Sequence, residues 1–549
     1  MGAKRLFQRV ASKVGVNASC MSGGPAHSLR RMSASTASPA AKPAVSTRTT
    51  RLFLGLVCFL AGAAIMIVEI SAFRLLAPFF GNTVYTSTAL IGVILVAFSV
   101  GGYLGGWLAD RKMALDLIGW LLAGAAVLVL FIPSLHVAFS PRLELAGVIQ
   151  GPLVISLLLF LVPGVLLGAV SPASVRFYSL ADKDSHVGAS AGTISMLGSL
   201  GSFAGTFLSG FVLLPSFGVK SIFLCTGSLL LLLAVAAFVL ARNAARQMAP
   251  IALSGVVAAF FGWSSSLPPA DGLIFEQESS YHRIRVVEQG EKPFTRRVLM
   301  LDSTPEGGMI ADTGELIMPY QEYWKLALLR EQARVESALF IGAGAFGMPE
   351  NVSRDFPEAA VDVVEIDPAV IEVGRRFFRL NEHPRVQAHA ADARRFLNQS
   401  KQKWDLIFGD AYNGRHAIPA HLATREFFQQ VADHLQPEGV YVMNIIAGIK
   451  GRRAELTAGM LRTLKEVFPQ VLVFATDMSR PEEIQNVVLM CSRQDLRPRI
   501  ADGYFAAGSW QQRLARTLVS PGQLPRPAAI AFTDDLNPVD AVIARGLLE

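Results

Sequence analysis

The chain is short of cysteine and of charge, and each shortage narrows the field. Its four cysteines, Cys20, Cys58, Cys225 and Cys491, stand far apart in 549 residues, with no CxxC pair and no ladder of short spacings. Neither a disulfide framework nor a zinc or other metal site is expected. Charged residues make up 17% of the chain and apolar ones 52%; an average soluble chain carries about 25% charged residues. That balance excludes a disordered chain, a collagen and a simple soluble enzyme. Acids are missing altogether from residues 1–51, which hold nine Lys/Arg. The remainder is close to neutral, so the net charge of +7 belongs to a tail and gives no reason to expect nucleic acid. No short apolar stretch ends in a small-residue cleavage site, so no secretory signal is read.

What is present divides the chain into four segments: 1–50, 51–267, 268–333 and 334–549. The first is a basic tail rich in Ala and Ser, read as disordered on the cytoplasmic side of a membrane or as an organelle transit peptide. The second carries apolar spans at Leu52–Phe73, Thr88–Leu108, Leu117–Leu135, Leu153–Val170, Ala189–Leu214 and Ile222–Leu240, each close to the ~20 residues that cross a bilayer core. A weaker seventh run, Ala249–Leu267, has an apolar core only from Ile251 to Trp263. Gly101, Gly102, Gly105 and Gly106, and Gly201 and Gly205, have the spacing that lets helix backbones approach closely. A packed multi-pass bundle in the cell (inner) membrane is expected, with the lipid bilayer as its surroundings.

Lys and Arg in the loops set orientation. The tail, Arg111 and Lys112, Arg176 and Lys183, and Arg242 and Arg246 alternate onto one side, against Arg142 and Lys220 on the other. The amino terminus is therefore expected in the cytoplasm. Glu69, inside the first span, is either a polar site within the bundle or the partner of Arg74 near the membrane surface.

From about Asp271 the pattern becomes that of a soluble domain. β-rich runs at His282–Glu288 and Arg297–Asp302 precede a helix near Tyr320–Arg330. Strands then alternate with helices at Ser337–Gly342, Val361–Ile366, Val386–Ala390, Trp404–Gly409, Gly439–Ile445, Val471–Ala475 and Val487–Cys491. This predicts a seven-stranded, doubly wound α/β (Rossmann-like, methyltransferase-type) domain with a small β subdomain before it. The first strand runs into Gly342-Ala-Gly344-Ala-Phe-Gly347, which lets backbone N–H groups approach a cofactor. Acids follow the second, third and fourth strands: Glu365 where a ribose diol would lie, Asp392 where an adenine amino group would lie, and Asp410 facing the crevice. That order favours an S-adenosylmethionine-type ligand over a nicotinamide.

At these residues the chain resembles a known family. Glu278-Ser-Ser-Tyr281-His282, Leu301-Asp302, Pro319-Tyr320-Gln321-Glu322, the glycine loop, Glu365-Ile-Asp367, Asp392-Ala, and Asp410 followed by Pro419 and Glu426-Phe-Phe428 are similar to spermidine synthase. The whole chain resembles its membrane-bound relatives, in which helices precede such a domain. Gly102-Tyr-Leu-Gly-Gly-Trp-Leu-Ala-Asp-Arg-Lys112 also resembles a cytoplasmic loop of major-facilitator transporters. The resemblance implies that Gly342, Gly344, Gly347, Glu365 and Asp392 hold decarboxylated S-adenosylmethionine as a co-substrate, with no permanently bound cofactor. It implies that Tyr320 and Asp410 lie at the amine acceptor, Asp410 taking the proton, with Gln321, His282 and Asn413 nearby.

Departures are expected to matter. Ala345 and Asn413 stand where the family usually carries acids, and His282 and Glu306 where it carries glutamines. Fewer acids would weaken selection for a cationic aminopropyl tail and ease acceptance of ordinary S-adenosylmethionine. Three functions therefore stay open: a membrane-tethered aminopropyltransferase of polyamine biosynthesis, an S-adenosylmethionine-dependent methyltransferase on a membrane-associated acceptor, and a non-catalytic polyamine or nucleoside sensor or transporter. A homo-oligomer is compatible with each. Because adenosyl sulfonium donors are made in the cytoplasm, the soluble domain is expected there too, after six crossings, with Ile251–Trp263 lying in or against the membrane.

Overall fold

In the computed structural model the described residues are 47–547, apart from 82, 112–114, 148, 181–186, 242–243, 267–270, 413–416 and 502–508. Their first half is helical: α1 Thr47–Phe80, α2 Val84–Arg111, α3 Asp116–Leu143, α4 Gln150–Leu180, α5 Val187–Ser216, α6 Val219–Leu240 and α7 Ala244–Ser264. The first six are long and apolar enough to cross a membrane. A helix suits such a sequence because it satisfies every backbone group within its own segment. The glycines tighten the pairs. A methyl on Gly101 or Gly105 would stand 2.3 Å from a carbonyl oxygen of α4, and one on Gly201 or Gly205 within 2.4 Å of a carbonyl of α1. Gly102 and Gly106 face open space instead.

The seventh run, a shorter apolar helix beside the six long ones, packs against the bundle. α7 lies antiparallel to α6 along its length: Gly255 meets Leu231, and Lys220 at the start of α6 donates to the Trp263 and Ser265 carbonyls at the end of α7. Its buried stripe is Ile251, Gly255, Ala258 and Gly262, with Gly262 against the Leu130 carbonyl of α3. Its remaining large side chains, Leu253, Val256, Phe260 and Trp263, are exposed apolar groups. At 21 residues it is about 31 Å long, matching a hydrocarbon core of about 30 Å.

Seven alternating helices put the start of α1 and the end of α7 at opposite ends of the bundle. Arg51 bonds Tyr178 at the first end, whereas Phe80, Gly151, Lys220 and Ser265 gather at the second. The soluble domain sits on that second end. Arg74 donates to the Ser279 carbonyl at 2.7 Å and also to that of Tyr281, and Asp540 accepts from the Val84 backbone. Arg74 thus turns toward the soluble domain, and among the described residues it makes no ion pair with Glu69. Lys112, Lys183 and Arg242, which entered the loop-charge argument, lie outside the described residues, as does the side chain of Arg246.

Beyond the bundle comes an antiparallel four-stranded sheet, β1 Leu273–Glu278, β2 Arg283–Gln289, β3 Arg296–Leu301 and β4 Thr304–Ile310, then a 3-10 stretch at Pro319–Leu329. The larger sheet has the order β10-β11-β9-β8-β5-β6-β7. Its members are β5 Ser337–Ile341, β6 Ala360–Glu365, β7 Val386–Ala390, β8 Trp404–Gly409, β9 Leu435–Ala447, β10 Gln470–Ala475 and β11 Gln485–Ser492. Only β11 runs against the rest. Helices α8 Gly347–Asp355, α9 Pro368–Phe377, α10 Ala393–Gln399, α11 Arg425–Asp433 and α12 Glu455–Leu464 are interleaved with the strands, and α13 Arg497–Ala501, α14 Trp510–Thr517 and α15 Val539–Leu547 follow them. The strand order reverses between β5 and β8, which makes the carboxyl ends of those two strands the natural ligand crevice.

If α7 completes a seventh crossing, topology reporters fused before Met1 and after Glu549 will be active on opposite faces of the membrane. Activity of both on one face would return α7 to the interface.

Candidate active site

The crevice is closed at its base by a contact only glycine permits. Gly342, directly after β5, has φ +91°, and a Cβ there would stand 2.3 Å from the Asp410 carbonyl oxygen. Two residues on, Gly344 has φ +48°, and its Cβ would come 3.0 Å from the Glu306 carbonyl of β4. Left-handed φ is cheap for glycine alone. Gly347 begins α8 and packs closely on Leu316, holding the helix down on its neighbours.

Glu365 at the end of β6 ties the loop in place. Its Oε2 accepts from the Ala343 N–H and its Oε1 from that of Asp367, both at 3.0 Å. Burial pushes its carboxyl up, and the two backbone donors oppose that. Asp392 caps α10 through the Arg395 N–H at 2.9 Å and pairs with His421 at 2.8 Å. The helix-cap role and the place in the crevice coincide in this one residue.

Asp410 follows β8. Tyr320 donates its hydroxyl to Oδ2 at 2.9 Å, and the Asn444 amide donates to Oδ1 at 2.8 Å. Burial pushes the carboxyl up to about 6, although both hydrogen bonds favour the charged form. The same burial and the nearby Asp410 charge hold the Tyr320 hydroxyl well above its ordinary range. Near neutrality the pair is a carboxylate with a neutral phenol, the arrangement a general base needs.

One cavity collects most of the expected residues: His282, Gly342, Gly344, Glu365, Asp392 and Asp410 all line it. Tyr320 reaches it through Asp410. Gln321 does not line it: its Oε1 accepts from the Met318 N–H at 3.4 Å, and its amide nitrogen lies by Gly307 and Gly347. Asn413, with Arg415 and His416, lies outside the described residues. Toward the carboxyl end Asp534 binds Arg394 at 2.8 Å and Asn537 accepts from the Val539 N–H at 3.1 Å, in a turn before α15.

Sequence reasoning missed three residues. His421 and Tyr412 line the cavity, and Tyr412 donates to the Asn444 carbonyl at 3.0 Å. Asn444, fully inside the apolar run Val440–Ala447, was the available signal, because a buried amide needs partners.

Fold and crevice together place a buried carboxylate and a glycine loop at the switch point of a seven-stranded sheet. Residues 319–497 match the family described as spermine/spermidine synthase domain. The chain is 32% identical over 188 residues to a polyamine aminopropyltransferase of Vibrio vulnificus (strain CMCP6), covering 32% of this chain and 60% of that protein. It is 29% identical over 196 residues to the eEF1A lysine and N-terminal methyltransferase of Homo sapiens, covering 34% of this chain and 26% of that one. It is also 21% identical over 438 residues to polyamine aminopropyltransferase 2 of Aquifex aeolicus (strain VF5), covering 77% of this chain and 85% of the other. A match that long has to run back through several helices of the bundle. Residues 319–497 thus match a spermine/spermidine synthase domain, the chain has polyamine aminopropyltransferases among its relatives, and six long apolar helices and the shorter α7 come before the matched region.

Two outcomes follow from the geometry. Gly342→Ala should lower thermal stability by a few kcal/mol and abolish adenosyl-ligand binding, since the methyl displaces Asp410 or the loop; normal binding would remove the crevice from this place. Removing a donor from a carboxylate raises its pKa. The acid limb of the kcat/KM profile, expected near pH 6, should therefore move to higher pH in Asn444→Ala. An unmoved limb would show that another group titrates there.

Proposed function

We propose that the domain transfers an aminopropyl group from decarboxylated S-adenosylmethionine to an amine such as putrescine, beside the membrane. The observation that carries this reading is the Asp410 carboxylate, held by Tyr320 and Asn444 at the switch point of the sheet. The amine lone pair attacks the carbon next to the sulfonium, the S–C bond breaks, and methylthioadenosine leaves as a neutral thioether. The sulfonium is already a good leaving group, so the protein's main task is alignment. An alkyl amine of pKa near 10.4 is about one part in a thousand neutral at pH 7. Asp410 binds the ammonium and takes its proton.

Methyl transfer from S-adenosylmethionine to an amine uses the same nucleophile and the same base. The similarity to a lysine and N-terminal methyltransferase supports it as the second reading. Either reaction requires the soluble domain to face the cytoplasm. With seven crossings that puts the Arg-rich start of α1 outside, against the loop charges, so an external reporter after Glu549 would count against both.

The test assays purified full-length protein with each donor and putrescine, scoring methylthioadenosine against S-adenosylhomocysteine. Asp410→Asn should cut turnover by about 10²–10⁴ while donor binding holds. It should also stabilise the fold. An acid whose folded pKa of about 6 exceeds its unfolded 3.8 loses stability as pH rises through that window, on the order of 3 kcal/mol at neutral pH. Near-normal turnover in the variant would discard the mechanism, and S-adenosylhomocysteine as the sole product would install the second reading.

A further inference from the structure

β4 crosses over the glycine loop at van der Waals range or closer. Besides the Gly344 contact with Glu306, a Cβ on Gly307 would lie 3.0 Å from the Ala345 nitrogen. This crossing brings Glu306 into the cavity wall with Gly342, Gly344 and Asp410. The wall contains the carboxyls of Glu306, Glu365, Asp392 and Asp410, and no Lys or Arg among the described residues.

Three of those carboxyls are already engaged. Glu365 holds two backbone N–H groups, Asp392 holds a helix end and His421, and Asp410 holds Tyr320 and Asn444. Glu306 has no hydrogen bond or ion pair among the described residues. Burial, together with the charges of Asp410, Glu365 and Asp302, holds its carboxyl well above the usual range. An ammonium placed beside it opposes the repulsion from those charges and favours the ionised form of Glu306.

We propose that Glu306 reads the tail of the donor, taking the terminal ammonium of decarboxylated S-adenosylmethionine and turning away the carboxylate of S-adenosylmethionine. The inference rests on the adenosyl-transfer reading above and deepens it. A methionyl carboxylate on this wall meets like charge and finds no Lys or Arg among the described residues, so discrimination comes from repulsion as well as attraction. The tail ammonium gains a charge-assisted bond in a partly buried site, the kind that changes affinity by about tenfold or more.

The test measures equilibrium binding of decarboxylated S-adenosylmethionine, S-adenosylmethionine and methylthioadenosine to the full-length protein in lipid nanodiscs. Methylthioadenosine carries no charged tail and reports an intact pocket. The wild type should prefer the decarboxylated donor by about tenfold or more, and Glu306→Gln should bring the ratio near one while methylthioadenosine affinity holds. An unchanged ratio in Glu306→Gln overturns the role of Glu306 and leaves the aminopropyl reading standing. Wild-type preference for S-adenosylmethionine, or failure to bind any of the three, overturns both. Should Glu306→Gln lose methylthioadenosine as well, Glu306→Asp replaces it: a preference kept in that variant supports the proposal, and one lost with methylthioadenosine still bound overturns it.

Discussion

At Gly342 the end of β5 meets the carbonyl of Asp410, with 2.3 Å between that oxygen and the place a side chain would begin. The opposite ends of the same two strands are pinned as tightly. Asp405, near the start of β8, accepts from the Glu336 and Ser337 N–H groups at 2.9 and 3.0 Å, and Arg330 binds its other oxygen at 2.9 Å. β8 is thus fixed at both ends against β5, in the register Ala338↔Leu406 to Ile341↔Gly409. A one-residue slip would reverse every side chain on the strand. The position of Asp410 is a consequence of that register, and Tyr320 and Asn444 only finish what the sheet begins.

The helical bundle shares in this. Arg74, near the end of α1, holds the Ser279 and Tyr281 carbonyls, the Ser279 hydroxyl donates to Asp367, and the Asp367 N–H donates to Glu365. His282, at the end of the same turn, pairs with Asp302 at 3.0 Å. A chain of hydrogen bonds therefore runs from a membrane helix to the carboxylate that supports the glycine loop. Removed from the bundle, the turn carrying His282 would lose its anchor, so the helices form part of the site's support.

Periodicity and turn chemistry made the larger sheet legible: each of the seven strands read from sequence lies in the structure within a few residues of its expected bounds. Those signals are local, and so were the failures. β1 and β4 alternate weakly and went unread. The packing of α7 against α3 and α6 was not legible in its apolar run Ile251–Trp263 alone. Gln321 carries the right side chain in the resembled motif, yet its Oε1 accepts from the Met318 N–H and it does not line the cavity. His421 and Asn444 reach the cavity from elements far along the chain, and spacing has no way to show this.

The count of acids illustrates the same limit and its physical consequence. Along the sequence, Ala345 and Asn413 read as acids lost from a cation site. In space Glu306 stands over the glycine loop beside Ala345, so the loss at the loop is met from the facing strand. Such a wall is costly while empty: burial raises Asp410 to about 6 and holds Glu306 well above its usual range, with no Lys or Arg on the wall among the described residues. A cation entering between them relieves both, and that relief is available to no neutral or anionic tail. Electrostatic strain kept in the fold thus becomes selectivity at the moment of binding, which is why a site can retain a carboxyl that only destabilises the empty protein.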